Sequence, residues 1–237
     1  MRNLFASALI VSLVTVFTSC RVVNGNHNVI TETRSIGSFN EIRLSGFADV
    51  HIAQGKEEDL KISGESNLLQ FIRTRVDNGV LIISTKEGVN IRNHDPIMIY
   101  VSTPELEKIK LSGAGSLISE NKWNLDKKIE INTSGAGRIK AEFNCPQVDV
   151  TLSGAGDIEL MGETKDLDAT ISGVGSIKAR DLKAENADVS VSGAGSIDVF
   201  ASVDLKARVS GVGSINYWGN PQHVDEHESG VGSINKK

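Results

Sequence analysis

A repeat constrains this chain more than any other feature. Ser-Gly-(Ala/Val)-Gly occurs seven times: Ser112-Gly113-Ala114-Gly115, Ser134-Gly135-Ala136-Gly137, Ser153-Gly154-Ala155-Gly156, Ser172-Gly173-Val174-Gly175, Ser192-Gly193-Ala194-Gly195, Ser210-Gly211-Val212-Gly213 and Ser229-Gly230-Val231-Gly232. Successive copies begin 22, 19, 19, 20, 18 and 19 residues apart. A fixed period near 19 marks a repeat architecture, in which each unit buries its apolar face against its neighbours. Fourteen of the 23 glycines fall in these copies, so glycine here builds corners rather than linkers.

Around each copy the apolar pattern alternates with period 2, as in a half-buried strand. The residues three and one before the serine are Ile109/Leu111, Ile131/Thr133, Val150/Leu152, Ala169/Ile171, Val189/Val191 and Ala207/Val209. The fifth residue after the serine is always apolar: Leu117, Ile139, Ile158, Ile177, Ile197, Ile215 and Ile234. Two short strands per repeat follow, with Gly-x-Gly turning the chain sharply between them, with positive φ where needed and no Cβ in the way. A third apolar patch, for example Leu167, Leu182 and Leu205, completes some rungs. The pattern predicts an all-β, right-handed parallel β-helix-like solenoid, its rungs about 4.8 Å apart. The last copy carries Glu226 and Glu228 at the inward positions and reads as a polar capping rung.

The N-terminal half is less regular. Leu44-Ser45-Gly46-Phe47-Ala48-Asp49-Val50 reads as a degenerate copy. Strands are expected over 40–45, 48–53, 59–63, 80–85 and 97–102. Ser66–Ile72 reads as a short helix with Ser66 as N-cap. Asp77-Asn78-Gly79 reads as a hairpin turn.

The first residues read as an address. Leu4–Phe17 is an apolar run too short to span a bilayer but suited to a signal segment. It ends Val16-Phe17-Thr18-Ser19-Cys20, which resembles a bacterial lipobox. Cleavage before Cys20 and acylation of Cys20 would anchor the chain in a membrane. The expected organisation is 1–19 signal peptide of lipoprotein type, 20–35 lipidated Cys20 and flexible tether, 36–104 irregular β half, and 105–237 regular Ser-Gly-x-Gly β-helix. The expected location is the bacterial envelope, lipid-anchored in the outer membrane, on either face.

Little in the sequence points to catalysis. The repeat is not the Gly-x-Ser-x-Gly of a nucleophile elbow, and no βαβ unit accompanies its glycines. Calcium-binding β-rolls need nine-residue repeats, which are absent. The row two before each serine is mixed and mostly neutral, and Arg138 over Asp157 reads as a ladder ion pair. Cys145 is a lone thiol that reads as a buried small hydrophobe. His223, Asp225 and His227 share a strand face and are the one candidate metal set. They lie in a polar terminal segment that a solvated cap accounts for, so no metal or cofactor is expected. Net charge is −5 without a basic run, which excludes a nucleic-acid partner.

The lipobox, the segment Phe39-Asn40-Glu41-Ile42 to Val50, the repeat ladder and Tyr217-Trp218-Gly219-Asn220-Pro221 together resemble one family. It is the bacterial auto-transporter adhesin family with a head GIN domain. The resemblance covers about residues 36–235 and implies an all-β solenoid in an envelope protein, with no catalytic residues to transfer. The expected function is a non-enzymatic binding module for an extended ligand: a glycan, a matrix component or an envelope protein. The alternatives are a periplasmic structural or lipid-handling lipoprotein, and a β-helix carbohydrate-active enzyme.

Overall fold

The computed structural model describes residues 21–237; the expected signal segment and Cys20 lie outside them. The chain is 64% strand and 1% helix and forms a β-solenoid of about 6 turns, with rungs of roughly 20 residues. One 18-stranded sheet runs through both halves.

Period-2 burial becomes a set of stacked columns. Val50, Leu117, Ile139, Ile158, Ile177, Ile197, Ile215 and Ile234 pair rung on rung. From Val50 to Ile215 this column is fully buried, and each such side chain contributes about 1.5–3 kcal/mol relative to exposure. Leu44, Leu111, Thr133, Leu152, Ile171, Val191 and Val209 form a second buried column. Ile129, Val148, Leu167, Ala187 and Leu205 form a third. Leu182 does not belong there: it pairs with Gly162, on the stretch where rungs differ in length.

One expectation about the rung needs correction. Its strands are not short. Arg138–Leu152, Asp157–Ile171, Ser176–Val191 and Ser196–Val209 each run almost a full turn, because most of their backbone pairs with the rung above or below. Unequal repeat lengths are absorbed by register shifts at Glu159/Met161, Ala179/Lys183 and Ala184/Asn186. Of the two roles expected of the motif glycines, positive φ is adopted among them by Gly230 alone. The missing Cβ is the role the others fill, as expected. A Cβ on Gly173 would overlap the carbonyl oxygen of Gly154, and one on Gly154 that of Gly135. The degenerate copy joins this wall, since Gly113 meets Gly46 and Gly115 meets Ala48 in the same way.

The N-terminal half caps the stack. Glu41–Ser45 and Asp49–Gln54 pair on one side with the first regular rung and on the other with Val80–Thr85 and Met98–Thr103, all parallel. Ile72–Asp77, Leu60–Glu65 and Val29–Arg34 then add antiparallel strands that close the edge. The hairpin turn forms with Asn78 at φ 49 and Gly79 at φ 77. The expected helix over Ser66–Ile72 shrinks to one 3-10 turn, Leu69–Phe71, without a side-chain cap; Ser66 Oγ instead accepts from Asn26 Nδ2 at 2.9 Å. The expected flexible tether is also strand: Arg21–Asn24 pairs with Val89–Arg92, and Val29–Arg34 with Leu60–Glu65. At the opposite end His223–Glu228 is exposed along its whole length, a mostly polar strand of the last rung, which Ser233–Lys236 completes.

Candidate functional site

Outward columns stack as regularly as inward ones. The mixed row runs Lys110, Asn132, Thr151, Thr170, Ser190, Arg208, His227. Two residues earlier in each rung lies a more charged row: Lys108, Glu130, Asp149, Asp168, Asp188, Lys206, Asp225. Beside it, on the same face, run Gln147, Asp166, Asn186, Asp204 and His223. From Asp168 to Asp225 in the first row and from Gln147 to His223 in the second, they line an open groove of about 480 Å³.

Stacked carboxylates one rung apart repel, so each is expected to find a partner. Lys128 Nζ lies 3.0 Å from Asp149, and Arg208 Nη1 lies 2.7 Å from Asp188. Asn186 Nδ2 donates to Asp166 at 2.8 Å, and His223 Nδ1 lies 2.8 Å from Asp204. Asp168, in the middle, has only the amide of Gln147, at 3.1 Å, which also serves Asp149 at 2.7 Å. Burial, then the Asp149 charge, pushes the Asp168 carboxyl above its ordinary range; the Gln147 bond opposes this only in part. The groove thus presents a ladder of acceptors with an unneutralised carboxylate at its centre.

A second open groove, about 720 Å³, lies where the register shifts. There Lys183 Nζ sits 4.3 Å from the centroid of the Phe200 ring, and nearby the Arg180 guanidinium lies 5.1 Å from that of Trp218. These cations over rings cover aromatic faces that would otherwise be exposed.

The residues singled out in sequence are placed as follows. The repeat serines and glycines form the corner wall. Their hydroxyls turn to neighbouring backbone where they bond at all, as Ser192 Oγ does to the Ile171 carbonyl at 3.3 Å. Cys145 is buried, and burial pushes its thiol up to about 11, which disfavours the thiolate. Arg138 and Asp157 are register neighbours, but Asp157 accepts the Ser176 hydroxyl and no ion pair forms between them. His223, Asp225 and His227 do share a face, but alternate strand residues lie about 6.6 Å apart. Each faces its own neighbour, respectively Asp204, Lys206 and Arg208, and the three do not converge on one ion.

The acceptor ladder was missed by stepping through the wrong columns. The positions four and six before each serine carry it, and the same 19-residue stride exposes it. A further cluster was not visible at all. His27, Glu65 and His94 come together in the head, from sites 38 and 29 residues apart with no period to connect them. Glu65 is fully buried. Burial alone would raise its carboxyl, but backbone N–H donation from His27, His94 and Asp95, with the His94 ring, outweighs it and holds the pKa at about 2.

Residues 38–221 match the model of the family described as "Putative auto-transporter adhesin, head GIN domain". The chain belongs to this family. Solved structures agree with the GIN-domain assignment. The fold is similar to a protein from Bacteroides fragilis NCTC 9343 called a putative adhesin, with TM-score 0.86, 29% identity, and coverage of 91% of this chain and 100% of that one. It is similar to a "Putative lipid binding protein" from Parabacteroides distasonis ATCC 8503, with TM-score 0.75, 27% identity, and coverage of 92% and 100%. It shares its fold with a putative adhesin from Parabacteroides merdae ATCC 43184, at TM-score 0.71, 22% identity, and coverage of 92% and 99%. No curated protein matches the chain. None of these names is that of an enzyme.

Proposed function

We propose that this GIN-domain chain is an envelope-anchored, non-enzymatic binding module that holds an extended polymer rich in hydrogen-bond donors, a glycan, along its flat strand face. The observation that carries this reading is the acceptor ladder. Carboxylate and amide oxygens recur once per rung from Gln147 to Asp204, so a polymer of regularly repeated hydroxyl or ammonium groups can register along it. The groove is open, which suits many weak contacts that sum by multivalency. Acylated Cys20 would hold the head close to the bilayer, because strand pairing begins at Arg21 and leaves no slack.

The experiment is binding of the full chain to neutral, amino-sugar and polyanionic polysaccharides, with an Asp168→Asn/Asp188→Asn variant beside it. The neutral or amino-sugar polymer is expected to bind, and the variant to bind at least about tenfold less tightly, a loss of about 1.4 kcal/mol. Equal binding of a polyanion, or an unchanged variant, would overturn the reading. Retention of Cys20→Ala in the membrane fraction would remove the anchor from it. The name of the Parabacteroides distasonis neighbour supports a second reading, in which the chain handles lipid. Co-sedimentation of Cys20→Ala with liposomes would favour that one.

A further inference from the structure

The head cluster lies apart from the acceptor ladder and has a different chemistry. Glu65 ends the strand Leu60–Glu65; His27 lies in the turn between Arg21–Asn24 and Val29–Arg34; His94 lies between Val89–Arg92 and Met98–Thr103. One ligand-capable atom from each lies within 4.8 Å of the others.

The carboxylate is fixed from behind. The His27 backbone N–H donates to Oε1 at 2.7 Å and the His94 backbone N–H to Oε2 at 2.9 Å. Gly25 leaves room for it, since a Cβ there would overlap both oxygens. Backbone donors that orient a ligating carboxylate are the usual outer support of a metal centre. The imidazoles sit side by side, ring centroids 4.0 Å apart and planes tilted by 35°. The two histidines are exposed, so their rings can turn. His94 Nδ1 reaches the carboxylate only at 3.3 Å, and among the described residues nothing hydrogen-bonds the His27 ring. His27 also holds φ 58, in the left-handed region that few non-glycine residues adopt. An unpaired imidazole beside a buried anion is a poor arrangement for packing alone and a good one for holding a cation.

We propose that His27, Glu65 and His94 form a binding site for a borderline transition-metal ion, Zn²⁺ in first place. Two imidazole nitrogens and a carboxylate oxygen supply three of four tetrahedral positions, at about 2.0–2.2 Å, and leave the fourth open to water or to a donor from a partner. The two rings are exposed and free to turn toward such an ion. The bound ion ties the turn after the first described strand to the head cap. Metal binding therefore stabilises the end of the molecule next to Cys20.

The test uses the full chain stripped of metal with a chelator and titrated with Co²⁺, then Zn²⁺. One Co²⁺ per chain with the visible absorption of a low-coordinate site is expected, and Zn²⁺ should displace it. His27→Asn tolerates the positive φ and keeps the backbone N–H on Glu65; His94→Asn keeps its own N–H. Each is expected to weaken Zn²⁺ binding by about 100-fold or more while retaining the far-ultraviolet circular dichroism of the parent. His223→Asn, at the opposite end, is expected to bind as the parent does. Absence of Co²⁺ absorption, unchanged Zn²⁺ affinity in both head variants, or loss of binding only in His223→Asn would overturn the proposal.

Discussion

The body and the head of this solenoid stack strands in different ways. In the body, rungs meet backbone to backbone, and the corner is set by what each rung lacks, a side chain at its glycines. In the head, strands of both directions are joined by individual polar clamps. Arg34 donates to the Ile72 carbonyl at 2.7 Å and the Leu69 carbonyl at 2.9 Å, and the buried Thr103 hydroxyl donates to the Phe39 carbonyl at 2.7 Å. Both non-glycine residues with positive φ, His27 and Asn78, are in the head. A periodic region repeats one solution, while a cap that must end the pattern needs a separate device at each contact.

The largest effect should come from the corner wall. In Gly173→Val the new Cβ meets the Gly154 carbonyl, which cannot retreat because Val174 N–H bonds to the same oxygen at 2.9 Å. A loss on the order of 3 kcal/mol or more in urea unfolding is expected, at the upper end of overpacking effects. Gly37→Val, in the head, meets nothing within 4 Å and should stay within about 0.5 kcal/mol of the parent. Equal stability of the two variants would mean that the wall does not set the rung spacing.

Next comes the head clamp. Removing the charge in Glu65→Gln takes a fully satisfied anion from beneath three backbone N–H donors and should lower Tm at neutral pH. The folded pKa of about 2 lies below the ordinary 4.5, so the charged form is favoured by folding. That contribution is complete above pH 4.5 and is lost as pH falls toward 2. The Tm difference between parent and variant should therefore narrow over this interval. A difference that is constant down to pH 2 would show that the charge does not hold the head together.

What the sequence discloses follows the same divide. The inward columns of the body, the degenerate first copy at Gly46 and the polar strand His223–Glu228 of the last rung were legible because one stride relates all their residues. The acceptor ladder was legible by the same stride but lay in columns four and six before the serine. The extent of the rung strands was not, since the bulges around Leu182 hide their continuity from a period-2 reading. In the head, Ser66 looked like a helix cap because its local context is that of one; its hydroxyl is instead taken by Asn26, 40 residues away. Nothing local joins His27 to Glu65 and His94. The strands between them decide it, and antiparallel additions carry no fixed spacing.

The smallest effect is also the sharpest test, because one substitution should change sign between the regions. Thr133 occupies the buried column filled by leucine, isoleucine and valine in other rungs, and its hydroxyl has no partner. Thr133→Val replaces that hydroxyl with a methyl of the same shape and should stabilise the body by about 1 kcal/mol. Thr103 is equally buried, but its hydroxyl bonds to the carbonyls of Phe39 and Glu105 at 2.7 and 3.2 Å. Thr103→Val leaves the Phe39 carbonyl without that donor and should destabilise the head by about 1 kcal/mol. Chemical denaturation of both variants reads the two signs directly. Shifts in the same direction would mean that a hydroxyl is worth the same in column and clamp, and the distinction between body and head would lose its energetic content.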